Sequence, residues 1–113
     1  MGMTSARAWL AARGLEDRIR EFDVSSATVE LAAQALGVEP GCIAKTLSFY
    51  DGESALLVLA AGDAKIDNHK FKAEFGFKAK MLSPDDALRL TGHAVGGICP
   101  FGLANPLRIY LDA

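Results

Sequence analysis

The sequence predicts a mixed α/β (α+β) fold in which helices interrupt a partly antiparallel sheet. Three observations predict it. Val29, Ala32, Ala33 and Leu36 recur at the i, i+3, i+4, i+7 spacing of an amphipathic helix. Two strand-like runs, 44–50 and 55–61, are joined by Asp51-Gly52, a strong hairpin signal between apolar runs. Ser83-Pro84-Asp85-Asp86 then combines a cap, a first-turn proline and acids set against the helix dipole.

From the amino terminus, residues 6–12 are good helix formers, with Thr4 or Ser5 as cap and Gly14 as stop. Ser26 or Thr28 can cap the next helix, and Gly37 fits the left-handed residue after its end. Run 55–61 is apolar at both alternating sets of positions, as in a central strand. Asp67 can cap a helix running to about Phe75 and closed by Gly76. Residues 78–82 alternate and predict a short strand, and the helix begun at Ser83 should end near Thr91-Gly92. A glycine-rich loop follows, then Asn105-Pro106, then a last alternating strand over 107–111. No repeat, low-complexity stretch or linker divides the chain, so the expectation is one domain over 1–113.

Composition excludes several classes. With 50% hydrophobic and 23% charged residues, a packed core is expected and disorder is not. The longest apolar run, 55–61, is too short to cross a bilayer. No leader-like segment is visible, and Cys42 and Cys99 match no metal or redox spacing. The expectation is therefore a reduced, cytoplasmic protein without a membrane span or a metal site. A net charge of −2 argues against bulk attraction to nucleic acid, though not against a local basic face. Lys65, Lys70, Lys72, Lys78 and Lys80, with His69, form the densest basic stretch. It reads either as a solvated face or as a track for a phosphate backbone.

Two features resist a purely structural account. Lys45 alternates in line with Leu47 and Phe49, so it either snorkels from a strand end or is held there for use. In "GGICPFG", residues 96–102, three glycines and a proline forbid a helix or central strand, yet Ile98, Cys99 and Phe101 are apolar. Phe101 can plug the core. Alternatively Gly96 and Gly97 expose backbone N–H groups, fixed by Pro100, that can hold a developing oxyanion or a phosphate. Cys99 with His93 also raises a nucleophile–base pair.

Four segments in order, "TVELAAQALGV" (28–38), "CIAKTLSFYDG" (42–52), "AGDAKID" (61–67) and "LTGHAVGGICPFGL" (90–103), resemble the YbaK/ProX aminoacyl-tRNA editing domain, also found inserted in bacterial prolyl-tRNA synthetases. The resemblance implies a barrel-like mixed sheet with surrounding helices. It implies a trans-acting deacylase that hydrolyses the ester of mischarged tRNA, foremost tRNA for proline, without a cofactor. It assigns the family's essential lysine to Lys45, the oxyanion donors to Gly96 and Gly97, and the rest of the substrate loop to Pro100, Phe101 and Gly102. Lys70 and Lys72 are expected to meet tRNA phosphates. Expected partners are mischarged aminoacyl-tRNA, an aminoacyl-tRNA synthetase and a second copy of the chain. Family domains continue beyond the strand at 107–111, so a carboxy-terminally short domain is expected, with a dimer closed through that strand. The rival reading is a non-catalytic tRNA- or synthetase-binding module on the same fold.

Overall fold

The computed structural model describes residues 2–21 and 28–112. The elements are α1 (Gly2–Ala11), α2 (Val29–Leu36), β1 (Ala44–Asp51), β2 (Ser54–Ala61), α3 (Asn68–Phe75), α4 (Pro84–Thr91) and β3 (Arg108–Leu111), with short 3-10 turns at Glu16–Arg18 and Pro40–Cys42. The three strands form one mixed sheet in the order β1-β2-β3. β1 and β2 are antiparallel from Ala44↔Ala61 to Asp51↔Ser54, while β2 and β3 run parallel from Leu56↔Arg108 to Leu59↔Leu111. Among the described residues the sheet holds these three strands, with β1 and β3 at its edges.

Local chemistry explains the boundaries. Thr28 accepts a hydrogen bond from the Leu31 N–H and Gly37 closes α2 at φ 68°; Ser26, the other candidate cap, lies outside the described residues. Asp67 accepts from the His69 and Lys70 N–H groups, which lowers its carboxyl below the usual range, the Lys70 bond being the largest cause. Ser83 accepts from the Asp86 N–H, and Pro84 takes the first helical position of α4. The hairpin loop is Gly52-Glu53, one residue beyond Asp51-Gly52, and Gly52 supplies the positive φ of 63° at its first position.

Two expectations need correction. α1 begins at Gly2, so Thr4 and Ser5 lie inside the helix instead of capping it. The apolar stripe Met3, Ala6, Leu10 extends the amphipathic face past both hydroxyl residues, and packing outweighs their capping preference. Residues 78–82 do not form a strand but a single bridge, Phe49↔Met81. Only Tyr50 N–H to Lys80 O and Leu82 N–H to Ser48 O join the segment to the β1 edge, and Pro84 turns the chain into a helix before a ladder can lengthen.

Two cores cover the sheet. Phe49, Leu56, Val58 and Phe71 form one beneath α3, where Phe71 lies 4.8 Å from Phe49 and 4.5 Å from Phe75 between ring centroids. Ala55, Leu82, Ala87 and Leu90 form the other beneath α4. Burying each Leu or Phe stabilises by roughly 1.5–3 kcal/mol, so β2, buried on both faces, anchors the sheet.

Candidate functional site

Strand alternation sends Lys45, Leu47 and Phe49 to the α3 side and Ala44, Thr46 and Ser48 to the other. The half-buried Lys45 ammonium donates to the carbonyls of Gly62 (3.3 Å) and Ala64, in the turn that leaves β2. That turn has no room to move away. A Cβ on Gly62 would stand 2.2 Å from the Pro40 carbonyl oxygen and 2.6 Å from Val29 Cγ1. An ammonium has three N–H donors, so two carbonyls fix its direction and leave one donor over.

Two clefts meet at Lys45. One, of about 510 Å³, is bounded by Val29 and Ala32 of α2, by Thr46 and Ser48 of β1, and by Gly96 and Ile98 of the glycine loop. The other, of about 610 Å³, lies on the α3 side and includes Lys65, Lys70 and Tyr110. Lys45 and Gly96 thus share one cleft, and Lys45 and Lys70 the other. Gly97 and Lys72 line neither. Lys72 sits exposed in the last turn of α3.

The loop after α4 is held at both ends. Thr91 is fully buried; its hydroxyl donates to the Ala87 carbonyl at 2.6 Å and accepts from the His93 N–H at 3.0 Å. His93 is 1% exposed, and its Nε2 lies 2.7 Å from the Phe101 carbonyl oxygen. A carbonyl only accepts, so the proton is assigned to Nε2, and Nδ1 is buried without a partner among the described residues. Between these anchors Gly97 N–H closes a turn onto Ala94 O at 2.9 Å. Gly96, at φ 92°, has no backbone partner for its N–H among the described residues. Pro100 is half-buried in the same loop. Phe101 and Gly102 face away from both clefts: Phe101 packs on Trp9 of α1, and Gly102 lies against the Ser5 backbone.

Cys99 and His93 do meet, with Sγ 3.6 Å from Nε2. The pair is a poor nucleophile and base. The nearer ring nitrogen already holds its proton toward Phe101 O, and burial pushes the Cys99 thiol up against a smaller opposing effect of the Phe101 backbone. Among the described residues no three His, Cys, Asp or Glu side chains gather as a metal site requires, and no helix is long and apolar enough to cross a membrane.

Sequence reasoning missed three contributors: the hydroxyls of Thr46 and Ser48 in the cleft wall, the His93 clasp, and α1. The first was readable, because the alternation that puts Lys45 on one face puts Thr46 and Ser48 on the other. The α1 contact joins residues far apart along the chain, and the clasp spans eight residues but ends on a backbone carbonyl, so neither leaves a sequence pattern.

Comparison with known proteins identifies the family. The profile of the aminoacyl-tRNA editing domain matches residues 23–113. The chain is 51% identical to the uncharacterized Bacillus subtilis protein YwhH, over 99% of this chain and 72% of that protein. It is 35% identical to the proline–tRNA ligase of Thermosipho melanesiensis over 75% of this chain, which is only 15% of the ligase. Among solved structures, a candidate trans-editing enzyme for prolyl-tRNA synthetase superposes with a TM-score of 0.86 at 34% identity, covering 98% of this chain and 71% of the other. The chain belongs to the aminoacyl-tRNA editing domain family.

Proposed function

We propose that this protein is a trans-acting aminoacyl-tRNA deacylase, hydrolysing the ester between a wrong amino acid and its tRNA, foremost tRNA for proline. The observation that carries the reading is the shared cleft: Lys45 and Gly96 stand in its walls. An aminoacyl ester is already activated, so catalysis needs mainly positioning and a donor for the oxyanion. The ester carbonyl points at the Gly96 N–H. Gly97 keeps the turn that aims it, and Pro100 with Phe101 and Gly102 stiffens the loop. The remaining Lys45 donor meets the terminal phosphate or ribose, while Lys70 and Lys72 meet phosphates farther along the acceptor end. Water adds to the ester carbon and gives up a proton, the carbonyl oxygen becomes the oxyanion, and collapse of that intermediate expels the ribose oxygen, which takes up a proton to become the hydroxyl. Free amino acid and uncharged tRNA leave.

The reading includes a single domain over 1–113, a barrel-like closure of the sheet, a cytoplasmic setting and a synthetase as functional partner. It also includes self-association. β3 pairs only with β2 among the described strands, and it exposes Ile109 at 43% and Leu111 at 76%, an edge that invites another strand. Sedimentation over a concentration range should show a dimer; a monomer at high concentration removes this part.

The rival, a binding module without hydrolysis, is favoured by one observation: the Lys45 ammonium is engaged by two carbonyls in the free protein. Incubation of the purified chain with tRNA for proline charged with a panel of amino acids separates the two. Ester loss above the spontaneous rate supports the deacylase, and binding without ester loss supports the module.

A further inference from the structure

We infer that α1 is a latch on the glycine loop, with Trp9 as its positioning residue. The inference rests on the deacylase reading for its catalytic consequence and on packing alone for the latch itself.

α1 lies outside residues 23–113, the part matched by the editing-domain profile. It nevertheless packs on the loop that carries Gly96. The rings of Trp9 and Phe101 are 5.1 Å apart between centroids at 38°, within the range of attractive aromatic pairs. The Arg13 guanidinium covers the Trp9 ring at 3.5 Å and donates to the Trp9 carbonyl at 3.0 Å, which holds the indole in place. One residue on, Gly102 approaches α1 so closely that a Cβ would stand 2.3 Å from the Ser5 carbonyl oxygen. Its φ of 61° likewise favours glycine. Arg7, between Ser5 and Trp9 on α1, is tied to Glu16 at 3.4 Å and Glu21 at 2.6 Å, fastening the helix to the segment that follows it.

Phe101 is therefore gripped twice, its carbonyl by His93 and its ring by Trp9. The residues between 93 and 101 include Gly96, Gly97 and Pro100. Where Phe101 sits decides where the Gly96 N–H points. His93 anchors the loop to the α4 side of the fold, and Trp9 sets its distance from the amino-terminal helix. Releasing one grip leaves the loop attached but free to swing. In a reaction that depends on positioning, a displacement of about 1 Å can cost up to about 10²-fold in rate.

The test compares wild type, Trp9→Ala and Trp9→Phe by amide hydrogen exchange and by deacylation kinetics. In Trp9→Ala the hydrogen-bonded loop amides, Gly97 N–H to Ala94 O and Ala104 N–H to Thr91 O, should exchange about tenfold faster or more, while those of β2 keep their protection. The kcat should fall about tenfold to a hundredfold with KM changed less than about twofold, because an interaction felt in the transition state is lost. Trp9→Phe keeps a ring against Phe101 and should restore kcat to within about threefold of wild type. If Trp9→Ala does not fold, Trp9→Leu takes its place, retaining apolar volume without the ring contact. Unchanged loop exchange overturns the latch, as does loss of β2 protection in parallel with the loop. Faster loop exchange with unchanged kcat overturns the positioning role. If wild type hydrolyses no charged tRNA, the deacylase reading fails, and the exchange comparison still decides the latch.

Discussion

Lys45→Ala separates the catalytic role of this side chain from its structural one. The ammonium makes hydrogen bonds to two half-buried carbonyls, Gly62 O and Ala64 O. Hydrogen bonds to charged groups contribute about 1.5–3 kcal/mol where solvent is excluded. Here water can reach both carbonyls once the lysine is gone, and the desolvation of the ammonium is relieved at the same time. The net cost should be about 1 kcal/mol or less, within the range of exposed charged contacts. For a domain of this size that is a fall of about 4–8 °C in Tm at most. Deacylation should fall at least about a hundredfold in kcat/KM, which is about 2.7 kcal/mol of transition-state stabilisation at 1.36 kcal/mol per decade. Lys45→Arg should not rescue it, because a planar fork cannot replace a compact ammonium between two carbonyls. Thermal melting and single-turnover deacylation on the same preparations decide the matter. Activity within twofold of wild type at unchanged Tm refutes the assignment.

Three further outcomes follow from particular contacts. Neutralising Lys70 and Lys72 together should lower the slope of log affinity for tRNA against log salt by about 1 to 1.5, with Lys70→Gln alone giving at least half, since Lys70 lines the larger cleft and Lys72 does not; an unchanged slope returns this stretch to a solvated face. Gly62→Ala should cost about 1–3 kcal/mol by overpacking, because its Cβ meets the Pro40 backbone, and a Tm equal to wild type contradicts that geometry. Asp86 is held below the usual carboxylate range by the Tyr50 hydroxyl first and Arg89 second. Its folded value lies below the unfolded one of about 3.9, so its contribution is complete above that pH and is lost as pH falls through the folded value. Asp86→Asn should therefore show a shallower loss of stability below about pH 4 in acid titrations followed by circular dichroism; parallel curves refute the contribution.

The elements with strong local chemistry were legible in the sequence. Thr28, Asp67 and Ser83 cap the helices expected of them, and Gly37, Gly76 and Gly92 take the left-handed positions that end those helices. The hairpin and the double-sided burial of β2 were equally plain. Errors arose where tertiary packing overrides local preference. The start of α1 is set by the stripe Met3, Ala6, Leu10, not by a cap. Residues 78–82 have strand-like alternation but meet the β1 edge at a single bridge, because Pro84 turns the chain into α4. In the site, Lys45 was visible as a charge in an apolar row, and the glycine loop as bare backbone. The division of that loop was not visible. Gly96 faces the cleft, while Phe101 and Gly102 turn to α1, because their contacts come from residues some ninety positions earlier.

The central claim is hydrolysis, and single-turnover ester cleavage tests it most directly. Purified protein in excess over tRNA for proline, charged either with a wrong amino acid or with proline, should release the wrong amino acid at least about a hundredfold faster than the spontaneous rate. Prolyl-tRNA should lose its ester no faster than without protein. Spontaneous rates for every charged tRNA, with the protein folded and bound to tRNA, would contradict the account.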